Sequence, residues 1–536
     1  MNPAAGASLM YKVFVADKLA PEGIAALEQY SEIAIDCLTG LSVEEAIPHV
    51  RDADAIIVRS ATKIRGKLLD AAKRLKVVGR AGIGVDNIDL DAATERGIVV
   101  LNTPDANATT TAELAIAHMF SLSRNLTAAD QSVRSGKWER NNFLGAELSD
   151  KTIGIVGFGT IGRLVAERCR GLKMRVVGYD PFVTEDTFVE RGVEKMDIDA
   201  LIAVADYVSL HCPATDETRG LISSERLRAM RPGARLINCA RGGLVDEQAL
   251  IEAVESGHLA GAALDVFENE PPGESPLFAQ ANIQFTPHLG ASTIEAQTAV
   301  GVEIAHQVAA FLLRGEVVNA VNVPSIAPEK LRRLGPYMEL SRKLGRLLCR
   351  MGEAPFTSAE IGVYGEAAKL DTHPIASAAM VGLLCEHHSV PVNQVNAIHL
   401  ARRQGIHVVE VSSVDSRDYV SLIRITGITE QGELYLEGAI FDGRHPRLLR
   451  INDYAIESTL EGHVLFTRHV DRPGVIGALG ELLGREGINI SRMQVGIADG
   501  GNRAIALIGI SEPLSEATLE GVRKIDAVEK ALQIEF

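Results

Sequence analysis

The sequence predicts an α/β fold in which two Rossmann-like doubly wound domains precede an α+β domain and a ferredoxin-like βαββαβ domain. Short apolar runs alternate with helical patterns from Met10 to Asn102, and the alternation restarts at Lys151. From Gly462 onward the chain reads strand, helix, strand, strand, helix, strand. At 536 residues it exceeds what one hydrophobic core usually organises, so about three or four domains are expected.

In the first block, Tyr11–Ala16, Glu32–Cys37, Ala55–Val58, Lys76–Gly79 and Ile98–Leu101 read as strands, with helical spacing over Glu22–Tyr30, Val43–Val50 and Leu90–Arg96. The second block supplies candidate buried strands at Lys151–Gly157, Arg175–Tyr179, Tyr207–His211, Arg235–Cys239, Gly261–Val266 and Ile283–Thr286. Helices such as Arg163–Leu172 and Asp246–Ser256 separate them. Leu114–Leu126 and Ile294–Arg314 are long helical patterns flanking this block. The chain is therefore expected to cross between the domains near Thr103-Pro104 and to return near His288–Ser292.

Pro324 and Pro328 mark Asn319–Pro328 as a linker. Beyond it, Phe356–Ser458 mixes a helix, Ile375–Glu386, with strand-like Val408–Ser412, Val420–Ile425, Glu433–Phe441 and Leu448–Ile456. The last block places strands at His463–Val470, Ile488–Ile497, Arg503–Ser511 and Val528–Phe536, helices at Gly474–Arg485 and Leu514–Ile525, and a hairpin at Asp499–Gly501. The domains so defined are 10–103 with 293–322, then 104–292, 323–458 and 462–536.

Lysine and arginine number 54 against 70 aspartates and glutamates, a net charge of −16 that excludes a general affinity for nucleic acid or anionic membrane. Anionic ligands must then be met by local basic clusters. The six cysteines are scattered, without a C-x-x-C pair, and read as reduced thiols of a cytoplasmic protein. Residues 1–10 lack the basic and apolar regions of a signal peptide, and the first nine read as a loose tail. No uninterrupted apolar run approaches the roughly 18 residues of a membrane span. No metal-ligand spacing is found.

Gly157-Phe-Gly159-Thr160-Ile161-Gly162 follows a predicted strand and opens a helix, and Asp180 ends the next strand. Glycines let the backbone approach a pyrophosphate at the positive helix N-terminus, while Asp180 can accept from the adenosine ribose hydroxyls. Asp180-Pro-Phe has no adjacent Arg or Lys to meet a 2′-phosphate, which favours NAD over NADP.

Arg241, Glu270 and His288 each follow a different buried strand of this same block, so all three stand at the carboxyl edge where open α/β sheets bind ligands. Oxidising a 2-hydroxy acid needs a base for the hydroxyl proton, a cation for the carboxylate and a group that orients the base. His288, Arg241 and Glu270 supply these in turn.

Gly157–Gly162, Asn238–Gly243, Leu264–Pro271 and Pro287–Thr293 resemble the signature blocks of the D-isomer-specific 2-hydroxyacid dehydrogenase family, in its phosphoglycerate dehydrogenase branch. The resemblance covers nearly the whole chain. It implies NAD-dependent oxidation of 3-phospho-D-glycerate to 3-phosphohydroxypyruvate, the first step of L-serine biosynthesis. It also implies that Arg241 grips the substrate carboxylate, that His288 is the acid/base and that Glu270 pairs with it. Asp265, Cys239, Cys212 and the Thr160-Ile161 turn would contact the cofactor.

Val58–Thr62 and Gly79–Asn87 match the same family, and Arg59 and Arg80, each following a strand, would neutralise a substrate phosphate; the plainer reading is two solvated arginines. In relatives the Lys137–Arg140 loop reaches the neighbouring subunit's site, which implies a homodimer or homotetramer with Arg140 near substrate. Trp138, the only tryptophan, reads equally well as a packing anchor.

His469-Val-Asp471-Arg-Pro-Gly474 and Gly487-Ile-Asn489-Ile resemble the ligand loops of an ACT domain, which binds amino acids between paired copies, with L-serine the implied effector. Asp471 would meet an ammonium group and Asn489 the ammonium or carboxylate, against the alternative of a turn that caps its own backbone. Arg444, Arg447 and Arg450 read as an anion site or as a solvated basic face.

Two rival functions stay open. One is a dehydrogenase for glyoxylate, lactate or 2-hydroxyglutarate, against which Arg59 and Arg80 speak, because a non-phosphorylated acid has no need of extra cations. The other is a non-catalytic NADH-sensing partner protein, against which the complete Arg241, Glu270 and His288 set speaks.

Overall fold

A computed structural model of the chain describes residues 10–323, 328–384, 391–415, 419–498 and 502–536. The N-terminal tail, Cys385, the Asp499–Gly501 hairpin tip and most of the linker beyond Val323 lie outside these residues.

Five parallel strands, β1 (Tyr11–Val15), β2 (Ile33–Cys37), β3 (Ala55–Val58), β4 (Val77–Arg80) and β5 (Val99–Leu101), form a sheet in the order β2-β1-β3-β4-β5. The helix Ile294–Arg314 returns to this sheet from far along the chain, and its Ile304, Val308 and Leu312 pack on Val13, Ile57 and Val77. Burying each such aliphatic side chain stabilises the fold by about 1.5–3 kcal/mol. Gly23 and Gly301 let two helices cross in contact: a Cβ on Gly23 would lie 2.8 Å from the Gly301 carbonyl carbon. By length and apolarity Ile294–Arg314 would also pass for a membrane span, but its packing on the sheet marks it as a core helix.

Seven parallel strands build the second sheet: β6 (Thr152–Val156), β7 (Arg175–Tyr179), β8 (Glu194–Lys195), β9 (Tyr207–Leu210), β10 (Arg235–Asn238), β11 (Gly261–Leu264) and β12 (Ile283–Phe285). Their order is β12-β11-β10-β9-β6-β7-β8, so strand order reverses at β6, where doubly wound folds bind ligands. Only β8, a two-residue edge strand, escapes the sequence pattern. The helix Ala108–Arg124 starts six residues before the predicted Leu114. Its threonine run is absorbed by hydrogen bonds, with the Thr111 hydroxyl 2.7 Å from Gly290 O, and it stops where Asn125 adopts a left-handed φ of 52°.

The third sheet is mixed: β13 (Phe356–Gly365), β14 (His407–Ser413), β15 (Ser421–Thr429), β16 (Gly432–Phe441), β17 (His445–Ile451) and β18 (Tyr454–Ser458), in the order β14-β13-β15-β16-β17-β18. Four elements here differ from the sequence reading. The helix Pro328–Met351, in which Gly335, Pro336 and Gly345 imitate helix breakers, strand β13 and the short helix Ala397–Arg403 were not predicted. Gly345 is instead needed for a close crossing with the helix His373–Leu384, where an added Cβ would sit 2.1 Å from Ala379 O. The predicted single strand Leu448–Ile456 is a hairpin that reverses at Asn452, φ 47°.

The fourth sheet, β19 (His463–Val470), β20 (Ile490–Ile497), β21 (Arg503–Ile510) and β22 (Val528–Glu535), is antiparallel in the order β20-β21-β19-β22, and its two helices complete the βαββαβ pattern. It shares a hydrophobic cluster with the third sheet, in which Leu344 and Ile456 join Phe466 and Leu507. The third unit docks on the first through Arg403–Glu95 at 2.8 Å and Asn393 Nδ2 donating to Gly97 O at 2.8 Å. A cavity of about 1080 Å³ lies beside these contacts, at the amino ends of β3, β4 and β5. Arg59 and Arg80 leave from the opposite ends of β3 and β4.

Candidate active site

Loops from the carboxyl ends of β10, β11 and β12 carry Arg241, Glu270 and His288 to one place. His288 Nδ1 lies 2.6 Å from Glu270 Oε2, and the Arg241 charge acts on the same carboxylate. His288 holds a left-handed backbone conformation, φ 52°, uncommon for a non-glycine residue. Asp265, fully buried, anchors this turn. Its carbonyl accepts the His288 N–H at 2.9 Å, and its carboxylate accepts from Thr286 Oγ1 at 2.6 Å, Leu289 N at 2.7 Å and Gly290 N at 2.8 Å.

Glu270 Oε1 accepts the Phe267 N–H at 3.2 Å, so the carboxylate is held from two sides. Burial alone would push the Glu270 carboxyl up, but the His288 hydrogen bond and charge, the Phe267 N–H and the Arg241 charge outweigh it and hold it below the ordinary glutamate value. A carboxylate acceptor calls for the proton on Nδ1, which leaves the lone pair of the neutral ring on Nε2, able to take a proton.

The opposite wall is cationic. Arg80 is half-buried and its Nε has no hydrogen-bond partner among the described residues; burial lowers its guanidinium to about 10, and the charges of Arg241 and Arg59 act in the same direction against Asp86 and Asp17. Arg241 reaches across from the seven-stranded sheet, its Nε 3.2 Å from Asp86 Oδ2. The Gly84 backbone passes so near that a Cβ there would meet Arg241 Nη2 at 2.0 Å.

Sequence reasoning did not assign the braces behind these arginines. Buried Asp17 accepts the Arg59 N–H at 2.7 Å and the Thr62 hydroxyl at 2.6 Å, and the Asn87 amide donates to Arg59 O at 2.8 Å and Thr62 O at 2.7 Å. Asn87 belonged to the Gly79–Asn87 block and had a signal; Asp17 had none beyond its place just after a strand.

The glycine turn fits a dinucleotide. Gly157 has φ 95°, and a Cβ on it would strike the His211 carbonyl oxygen at 2.6 Å. On Gly162 it would strike Gly157 O at 2.1 Å, while on Gly159 it would meet open space. The helix Thr160–Gly171 begins there without a side-chain cap, so its first N–H groups face that opening as an anion cradle. Asp180, at the end of β7, is aligned by the N–H groups of Phe158 at 2.8 Å and Phe182 at 2.9 Å.

Residues 116–290 match the family model of the D-isomer specific 2-hydroxyacid dehydrogenase NAD binding domain, residues 333–452 that of the D-3-phosphoglycerate dehydrogenase intervening domain, and residues 463–527 the ACT domain. A D-3-phosphoglycerate dehydrogenase from Synechocystis is 39% identical over 100% of this chain and 98% of its own. One from Methanocaldococcus jannaschii is 40% identical over 96% and 98%. The chain belongs to the D-3-phosphoglycerate dehydrogenase branch of the D-isomer specific 2-hydroxyacid dehydrogenases. Among solved structures, a D-lactate dehydrogenase from Aquifex aeolicus complexed with NAD and lactic acid is 29% identical, with a TM-score of 0.52, over 59% of this chain and all of its own. A glyoxylate reductase from Paecilomyes thermophila is 30% identical with a TM-score of 0.54, over 60% and 99%.

As members of this family do, the chain uses NAD as an oxidoreductase. In this dehydrogenase Cys212 and Cys239 are thiols pushed up by burial, Cys212 to about 11, and they offer small apolar walls rather than thiolates. Thr160 is exposed, its hydroxyl donating to Asp105 at 3.1 Å, and Ile161 is half-buried. Arg140 is exposed in a one-turn helix and, among the described residues, is not brought to Arg59, Arg80 or Arg241. In the ACT domain, Asp471 and Asn489 are exposed, whereas His469 is buried and 3.2 Å from the Thr467 hydroxyl. Arg450 and Arg424 both pair with Glu437, at 3.3 and 2.9 Å. No group of three or more potential metal ligands occurs among the described residues.

Proposed function

We propose that this dehydrogenase oxidises 3-phospho-D-glycerate to 3-phosphohydroxypyruvate with NAD, the entry to L-serine synthesis. NAD, when bound, accepts the hydride from the substrate's second carbon. His288 Nε2 takes the hydroxyl proton, Glu270 stabilises the imidazolium so formed, and Arg241 fixes the carboxylate. The observation that carries the choice of substrate is the Arg59, Arg80 and Arg241 cluster, in which Arg80 Nε lacks a hydrogen-bond partner among the described residues: that much positive charge calls for an anion beyond one carboxylate.

Asp265 supports the imidazole turn as a positioning residue, beside its expected contact with the cofactor. The crossings near Thr103-Pro104 and His288–Ser292 are the place for a hinge that closes the cleft and excludes water. Exposed Leu126, Val133, Trp138 and Leu144 favour a homodimer through the nucleotide-binding unit, with Arg140 offered to the neighbouring site, and a homotetramer needs a second interface. Serine is the effector we assign to Asp471 and Asn489, with His469 supporting them from the core, and we place the enzyme in the cytoplasm. NADH formation across a panel of 2-hydroxy acids, with and without serine, tests this reading; turnover of lactate or 2-hydroxyglutarate in preference to 3-phosphoglycerate overturns it.

A further inference from the structure

We propose that Asp86 is a resident counter-anion, which holds Arg241 across the cleft before substrate arrives and yields it to the substrate carboxylate. The inference rests on the reading that Arg241 grips that carboxylate. The two residues come from different sheets, Arg241 from the loop after β10 and Asp86 from the loop after β4, and their contact at 3.2 Å spans the cleft. Arg241 needs an anion there, because it and Arg59 stand close enough to disfavour the charge on Arg80, whose Nε has no hydrogen-bond partner among the described residues.

Two acids oppose that crowding, and they differ in kind. The Asp17 carboxylate is buried and spent on the Arg59 N–H, the Thr62 N–H and the Thr62 hydroxyl, so it is a fixed part of the loop. The Asp86 side chain is 71% exposed and, among the described residues, Arg241 is its one ion-pair partner, while its charge also favours that of Arg80. Its backbone is nevertheless held, since its carbonyl accepts from Arg65 at 3.1 Å and the adjacent Asn87 is buried with its amide on Arg59 O and Thr62 O. Exchange therefore moves one side chain and leaves the loop in place.

A carboxylate on Asp86 offers Arg241 the same charge and acceptor atoms as a 2-hydroxy acid does. An exposed ion pair is strong enough to order a guanidinium and weak enough to be displaced. While it stands, incoming substrate competes with it, and apparent affinity falls by the fraction of Arg241 already taken. Asp86 is thus a positioning residue whose removal raises affinity, the opposite of what loss of a substrate ligand does.

The test compares Asp86→Asn and Asp86→Glu with the unaltered enzyme, using NAD and 3-phosphoglycerate, with oxalate as a non-reacting carboxylate competitor. Asp86→Asn is expected to lower KM about threefold and the oxalate inhibition constant by a similar factor, with kcat within about twofold. Asp86→Glu, which keeps an anion on the loop, stays within about twofold of the unaltered KM. An unchanged or raised KM in Asp86→Asn, or a fall in kcat that outweighs any change in KM, overturns the exchange. If the unaltered enzyme makes no NADH from 3-phosphoglycerate, the substrate assignment fails first, and the same comparison is then run on the 2-hydroxy acid that it does oxidise.

Discussion

On the seven-stranded wall of the cleft the groups that orient the imidazole have protein partners: His288 Nδ1 with Glu270, Glu270 with the Phe267 N–H, and Asp265 with Thr286, Leu289 and Gly290. On the five-stranded wall, Arg59 and Arg80 crowd toward Arg241 with Asp86 as a loose counter-charge. The contrast separates two tasks. Under the proposed function, proton transfer falls to preorganised groups that cost no rearrangement at the moment of reaction, and substrate selection to a wall that the ligand's own negative charge would complete.

The largest expected effect comes from breaking the finished wall. His288→Ala should lower kcat by about 10²–10⁴, the range of a general base, while NADH affinity measured by fluorescence titration stays within about threefold. Turnover near the original rate would remove His288 from the chemistry. Arg80→Ala probes the other wall: KM for 3-phosphoglycerate should rise about tenfold to a hundredfold, with KM for D-glycerate nearly unmoved, since only the former carries the phosphate. Equal changes for both acids would erase the distinction between the walls.

A smaller effect should appear in stability. Burial holds the His211 ring, next to the glycine turn, down to about 4 from 6.5, so the folded protein refuses a proton that the unfolded chain accepts. Stability contributed by the neutral ring is fully present above pH 6.5 and declines as pH falls toward 4. Thermal melts of His211→Gln should lose that part of the pH dependence; an unchanged profile would mean that the ring titrates in the open. Glu270, whose carboxyl is held below 4.5, adds stability that is lost at still lower pH, and Glu270→Gln should flatten that acid limb.

Much of this was legible in the sequence where local chemistry and tertiary role agree. Gly157 and Gly162 announce their turn because a Cβ on either would strike backbone, and the alternating blocks announce parallel sheets because buried strands need apolar runs. Legibility failed where a residue serves a distant partner. Gly345 looks like a helix breaker and is instead a contact point between two helices; Asn452 looks like a strand residue and reverses a hairpin. The candidate site followed the same rule. Arg241, Glu270 and His288 could be placed by the strands that they follow, but the Asp17, Asp86 and Thr286 partnerships join segments far apart in the chain and carry no local pattern.

The most direct test of the two-wall account is the initial rate of NADH formation from 3-phosphoglycerate against D-glycerate, D-lactate and 2-hydroxyglutarate with the unaltered enzyme. The account predicts a kcat/KM for the phosphorylated acid at least about a hundredfold above the others, the worth of one or two charge-assisted contacts. Comparable values for a non-phosphorylated acid would contradict it.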